Sequence, residues 1–281
     1  MADAANGDRG PFPETGVDTS IDKVRLGGMA LANGVLVHGP TSWACAVRTT
    51  DGKIKVVAER KRVVGSGIDR PLLRGPARLL EAFAFLPRLK RALPEARLPF
   101  EGAGVIASTL GSFVVLHAVR RSKLGDTAKE LVGGLLSVAP AMLSLREGSL
   151  AAYHGAEHIA IGSYEHGELR AKEHERCGSH LVGPLLATAT AGNMLAARAP
   201  ERLRGAARLT ASAAAVAAST EIFGWMQRNP ASRVSRALAW PGHELQHRIS
   251  TVDPTPEQLE VAEAALRACL DLEARLDLEA A

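Results

Sequence analysis

Between Val24 and about Val64 apolar and polar positions alternate with a period of two, the pattern of half-buried strands. Trp43, Cys45, Val47 and Thr49 fall on one face and Ala44, Ala46 and Arg48 on the other, while Ile54 and Val56 alternate with Lys53 and Lys55. Asp51-Gly52 separates these two runs and is the strongest short hairpin signal in the segment, because this dipeptide accepts the positive φ of tight turns. Gly27-Gly28, Gly34 and Gly39-Pro40 punctuate a further strand pair around Val35 to Val37. The pattern predicts a small antiparallel β module of three or four strands over residues 21–66.

After Pro71 the period lengthens. Leu79, Leu80, Phe83 and Leu86 recur at helical spacing, and Arg88, Lys90, Arg91 and Arg97 follow. Such a basic amphipathic segment suits a membrane surface and, equally, the outside of a soluble core. Four apolar stretches come next: Gly102 to Val119, Leu131 to Leu145, Leu181 to Ala197, and Ala206 to Met226, the last carrying Arg208 and Glu221. A bilayer span needs roughly 17 to 25 apolar residues, which only the first stretch meets comfortably. The others are short or rich in Ala, Thr and Gly, and read as membrane-inserted or re-entrant hairpins or as buried helices of an Ala-rich bundle. Pro241-Gly242 reads as a break. From Pro256 to Leu278 a further helix is expected, N-capped by Thr255, with Leu259, Ala262, Ala265, Leu266, Leu270, Leu272 and Leu276 as its apolar face. The expected architecture is mainly α with a small N-terminal β module: a tail over 1–20, the β module, a helical membrane-associated region over 67–250, and a C-terminal docking helix within 251–281.

Composition sharpens this picture. Apolar residues make up 46% of the chain and aromatic residues only 4%, and the mean hydropathy of +0.02 falls between ordinary soluble proteins and polytopic membrane proteins. The net charge of +4 is scattered and not interleaved with aromatics, which excludes a nucleic-acid surface and leaves membrane lipid as the partner suited to the basic flanks. Cys45, Cys177 and Cys269 are odd in number and far apart, as expected for reduced thiols and not for a disulfide framework. The first 20 residues are polar and Gly/Pro-rich with no apolar core, so a disordered tail is expected and not a cleavable signal. Reduced thiols place the site segment on the cytoplasmic side of a cell membrane.

The chemistry concentrates between residues 150 and 180. In His154-Gly-Ala-Glu157-His158 the two histidines sit one helical turn apart on one face, spaced to bind one metal ion, with Glu157 beside them. This is the H-x-x-E-H order of inverted zinc peptidases, in which the carboxylate activates water. His174 and Cys177 follow, enough with the first pair to complete a tetrahedral site. Glu157 is the candidate general base, or alternatively the partner that fixes a histidine tautomer. Tyr164 and Glu165 are candidates for a further ligand or an orienting hydrogen bond, and Glu221 for a distant third ligand. His117, His180, His243 and His247 are read as bystanders. For each histidine alone a wet helix face or a loop is the plainer reading; for Cys177 it is a small buried hydrophobe. No organic cofactor is indicated. The expected function is zinc-dependent hydrolysis at a membrane, on a peptide or lipid-linked substrate. The alternative is a closed structural metal site in a membrane scaffold or assembly factor. A thiol redox role for Cys177 is disfavoured, since no resolving cysteine lies near it in sequence.

Over about Leu26 to Ala268 the chain resembles the YqhQ family, bacterial proteins of unassigned function regarded as metal-dependent enzymes and usually multi-pass in the membrane. Gly27-Gly28, Gly34-Val35, Gly39-Pro40, Ala46-Val47-Arg48 and Asp51-Gly52 resemble its β segment, and Pro71-Leu72-Leu73-Arg74-Gly75 its Leu-Arg-Gly motif. The most specific likeness is Tyr153-His154-Gly155-Ala156-Glu157-His158 with Tyr164-Glu165 and Gly167. His174 and Arg176-Cys177-Gly178 resemble its His-Pro-Arg-Cys-Gly, and Pro241-Gly242, Leu245-Gln246 and Glu260-Val261-Ala262 its C-terminal motif. The chain departs from the pattern at Glu175 for proline, Ser179 for threonine, His38 for arginine, and Ser250 to Pro254 for Thr-Thr-Arg-Glu-Pro. All of the candidate ligands are kept. The resemblance implies a metal-dependent membrane enzyme.

Overall fold

The period-two segment forms four strands: β1 (Gly27–Leu31), β2 (Gly34–His38), β3 (Ser42–Arg48) and β4 (Ile54–Arg60). They pair as an antiparallel meander in chain order, with Leu31 opposite Gly34, Val37 opposite Ala44 and Arg48 opposite Ile54. Gly52 takes the positive φ that the β3–β4 turn requires. This computed structural model describes residues 23–61, 68, 70–145 and 149–280. The tail expected over 1–20 and the end of the β module at 62–66 lie outside the described residues.

Both faces of the sheet are covered, so β3 is buried along nearly its whole length. Side chains alternate between faces, and the two faces differ in size. Bulky Leu31, Leu36, Trp43, Cys45 and Val47 meet Phe85, Leu86 and Leu89, with Trp43 stacked on Phe85 at 6.0 Å between ring centroids. Small Ala30, Ala44 and Ala46, with Val35 and Val37, meet two helices on the other side. These are α5 (Ser149–His166) and α9 (Pro256–Ala280). The expected docking helix α9 is thus part of the central core. Its start is a capping box in which Thr255 Oγ1 accepts from Gln258 N and Gln258 Oε1 accepts from Thr255 N. Buried Glu273 pins its far end to the sheet by accepting hydrogen bonds from Ser42 N at 2.7 Å and Thr41 N at 2.9 Å.

The single amphipathic segment expected over 71–98 divides into α1 (Arg74–Ala84) and α2 (Leu86–Ala92), with Pro87 in the first turn of α2. Helix α2 buries Leu86 and Leu89 under the sheet, whereas α1 leaves Leu79, Leu80 and Phe83 exposed. Beyond the sheet, α3 (Ala103–Arg121) pairs with α4 (Asp126–Leu145), α6 (Val182–Ala196) pairs with α7 (Glu201–Arg228), and α4 packs on α6. Small residues let the second pair approach closely enough for Thr188 Oγ1 to reach Ala215 O at 3.1 Å.

Among the described residues only α3 is long and apolar enough to cross a membrane. It is almost bare, with Phe113 66% and Val114 71% exposed. Helix α6 has 15 residues and is therefore about 22 Å long, short of a hydrocarbon core about 30 Å thick. The chain closes through α8 (Arg233–Leu245) and a π-helical turn over Gln246–Ser250. Pro241-Gly242, expected as a break, lies inside α8. The pair marks a close approach, since Gly242 lies against the main chain of Ser179 and His180.

Candidate metal centre

Helix α5 runs through the middle of the molecule and is buried on most sides, which is why its sequence is small and apolar around His154, Glu157 and His158. The two histidine rings lie one above the other, with centroids 4.3 Å apart. Their orientation comes from main-chain carbonyls of other segments. His154 Nδ1 is 2.7 Å from Ser250 O, in the π-helical turn, and His158 Nδ1 is 2.6 Å from Lys172 O. A carbonyl oxygen only accepts, so each Nδ1 carries a proton, and in the neutral ring the lone pair is on Nε2. Burial, and then the neighbouring His154 and His174, hold the pKa of His158 well below the usual histidine range, so its ring is neutral. This is the tautomer of a metal ligand.

Cys177 completes the group. Its Sγ lies 3.5 Å from His154 Nε2, and the ligand atoms of His154, His158 and Cys177 all lie within 4.8 Å of one another. In a tetrahedral zinc site nitrogens stand about 3.4 Å apart and nitrogen and sulfur about 3.6 Å apart, from the usual bond lengths. The sulfur is already at that separation from one ring. These three residues could hold a metal ion.

His174 does not join this group. Its ring is 5.5 Å from that of His158, and its Nε2 pairs with Glu165 Oε2 at 3.2 Å. Glu165, buried on α5, also takes the guanidinium of Arg176. It acts as an orienting carboxylate for the 174–176 segment. The segment is further clamped by Gln246, a fully buried side chain that sequence reasoning missed as a site-building residue. Gln246 Oε1 accepts from His174 N at 2.8 Å, and its Nε2 donates to Ser179 Oγ at 2.6 Å and to His174 O and His180 Nδ1 at 3.2 Å. Replacing Gln246 with leucine keeps the volume and removes every one of these bonds. We expect it to cost about 2–4 kcal/mol in urea unfolding and to weaken metal retention, because buried groups lose their partners; an unchanged midpoint would contradict this.

Glu157 is 7% exposed and does not belong to the three-ligand group. It lies across from β1, where a Cβ on Gly28 would overlap its carboxyl group, so the glycine gives it room in its present position. Burial pushes its pKa up to about 7; His154 and His174 oppose that shift and Cys177 adds to it. A cation in the cluster would act against it as well. Glu157, His154, His158 and Cys177 share the wall of an open cavity of about 440 Å3, together with Gly28 and Arg176.

The remaining sequence candidates lie elsewhere. Tyr164 turns toward the N-terminal segment, its hydroxyl accepting from Val24 N at 3.2 Å and its carbonyl from Lys23 Nζ at 2.7 Å. Glu221, considered as a third ligand, is taken by Arg74, with Nε at 2.9 Å, and by Leu72 N at 3.1 Å. It thereby supports the positive φ of Leu72 ahead of α1, and this ion pair accounts for an acid in an Ala-rich helix. His180 is buried, which lowers its pKa to about 4, and it belongs to the Gln246 network. His243 stacks on His247, whose Nδ1 meets Glu173 at 3.0 Å, and His117 is exposed on α3.

Residues 148–272 match a family described as protein of unknown function (DUF1385). The match starts at α5 and ends within α9, so it takes in all three ligand candidates, Glu157, Glu165 and Gln246, and leaves out the β module. No curated protein and no solved structure matches the chain.

Proposed function

We propose that this chain is a zinc-dependent hydrolase working at the cytoplasmic face of a cell membrane, and a member of the YqhQ family. The observation that carries the catalytic reading is the shared tautomer of His154 and His158. Two rings held by carbonyls at Nδ1, with a thiol 3.5 Å from one Nε2, are set for a cation and for no other obvious purpose. A donor set of two imidazoles and a thiolate suits zinc. Three protein ligands would leave a position for water, as in catalytic sites, and all three residues line the cavity. An ion held there would supply Lewis-acid activation of water and of the acyl oxygen. Glu157, on the same wall, takes a proton from the attacking water and delivers it to the departing group. The water oxygen bonds to the acyl carbon as the bond to the leaving group breaks, so the products are an acid and a protonated leaving group.

Glu157→Gln is the direct test. With 4-nitrophenyl acetate as the probe, zinc-dependent hydrolysis is expected to fall about a hundred- to ten-thousand-fold while the zinc content stays unchanged. The competing reading, a closed structural site in a membrane scaffold, draws on His174, whose ring is 5.5 Å from that of His158. Unfolding on zinc removal, with no zinc-dependent hydrolysis, would favour it.

The membrane placement rests on the exposed apolar surface of α3 and on Leu79, Leu80 and Phe83 of α1, with Arg120 and Arg121 at the end of α3. The protein is expected to stay in the pellet after high-pH carbonate treatment. Release into the supernatant without detergent would remove this part of the reading.

A further inference from the structure

Strand β1 is an edge strand: β2 lies on one side of it, and no strand among the described residues lies on the other. The two-residue turn at Ala32 and Asn33 sets Leu31 opposite Gly34, the hydrogen-bonded pair that closes such a hairpin. Hydrogen-bonded pairs then recur at Met29–Leu36 and Gly27–His38, and the residues between them, Gly28 and Ala30, turn their N–H and C=O groups away from β2. Among the described residues nothing bonds to those outward groups. Proteins ordinarily cover or blunt such an edge. This one instead borders the cavity that holds the metal-ligand candidates, since Gly27, Gly28, Met29 and Ala30 line it together with His154, Glu157, His158 and Cys177.

We propose that an extended polypeptide adds as a further strand beside β1 and is the substrate class of this site. The proposal rests on the hydrolase reading and narrows it. A row of outward N–H and C=O groups is complemented by another peptide backbone, and a strand paired to it lies about 4.8 Å away. A lipid headgroup has no matching alternation of donors and acceptors. The cavity beside β1 is also lined by Cys177, so a backbone added there shares that space with the ligand group. Its carbonyls then enter the cavity that the ligand group and Glu157 line. Leu26, Met29, Leu150 and Ile161 give the same cavity apolar walls for alternate side chains of the added strand.

The test uses the full chain loaded with zinc and carrying Glu157→Gln, so that bound peptide is not consumed. The probe is a fluorescent, end-blocked octapeptide of alternating leucine and serine. Two twins are N-methylated, each on one of the two alternating sets of residues. Fluorescence anisotropy is expected to show the parent binding, one twin at least about tenfold weaker, and the other close to the parent, because only one set of N–H groups can face β1. Ala30→Pro, which removes an outward donor where an edge strand tolerates proline, is expected to weaken the parent several-fold with zinc content unchanged. Should that variant fail to fold, the comparison of twins on the unaltered strand still decides.

No parent binding, or equal affinity for all three peptides, overturns strand addition. The hydrolase reading is scored separately on the unsubstituted chain with 4-nitrophenyl acetate. Ester hydrolysis with no discrimination between twins overturns only the peptide proposal. Discrimination without ester hydrolysis leaves a peptide-binding edge and overturns the catalytic reading.

Discussion

Replacing His154 and His158 together by alanine is expected to take the zinc content from one ion per chain to background in elemental analysis. Of the three candidate ligands only Cys177 would remain, and one thiolate does not hold zinc against dialysis. The size of the effect follows from preorganisation. Each ring is fixed in tautomer and direction by a main-chain carbonyl, so binding costs little ordering of the side chains. Removing the rings also leaves Ser250 O and Lys172 O without their donors, at about 1–3 kcal/mol each where water does not replace them. Circular dichroism of the variant must therefore accompany the metal analysis. The exposed His247 supplies the control, since His247→Ala removes an imidazole close in space to the same segment and should leave the zinc content at one. Full zinc retention in the double variant would rule out this ligand set. Zinc lost equally in the control would point to a nonspecific surface ion.

Gly155→Val is expected to be the most destabilising single change on the buried face of α5, by about 3–5 kcal/mol in urea unfolding. A Cβ at this position would overlap the carbonyl oxygen of Val252, a backbone atom that cannot swing aside like a side chain. The segment after the π-helical turn would have to move off the helix. That movement breaks the bond from Val252 N to Ala151 O, now 3.1 Å, and drags Ser250 away from His154. Domains are commonly stable by only about 5–15 kcal/mol, so much of the folding free energy is at stake. Zinc affinity should fall with stability, because the same segment orients the first ligand. Gly155→Ala should show the same sign with a smaller magnitude. A midpoint unchanged in both variants would mean that the helix and the 251–254 segment do not touch as described.

Much of the fold follows from local pattern. Alternation and the Asp51-Gly52 turn indicate the meander, and Thr255 ahead of Pro256 indicates the start of α9, because strand pleat and helix capping are interactions within a few residues. Pro87 likewise marks a helix start, although the apolar spacing across it reads as one continuous segment. Other features were not legible. Pro241-Gly242 has the composition of a break but serves as a packing contact inside α8, and composition cannot distinguish these uses. Glu221 looks like a costly acid in an apolar helix until Arg74, 147 residues earlier in the chain, is placed against it.

By itself the sequence determines the candidate chemistry: His154 and His158 at a spacing of four share a helix face, and that needs no knowledge of the rest of the fold. It also determines that α3 is predominantly apolar up to Arg120 and Arg121 at its end. Which partners complete the centre is decided only in three dimensions. Cys177 is brought to His154, while His174 is drawn to Glu165 instead. Gln246 and Ser250, at least 66 residues from the groups they hold, fix the geometry from the π-helical turn. The physical reason is that donor and acceptor pairing is set by direction and distance, neither of which a residue type encodes until its neighbours are packed.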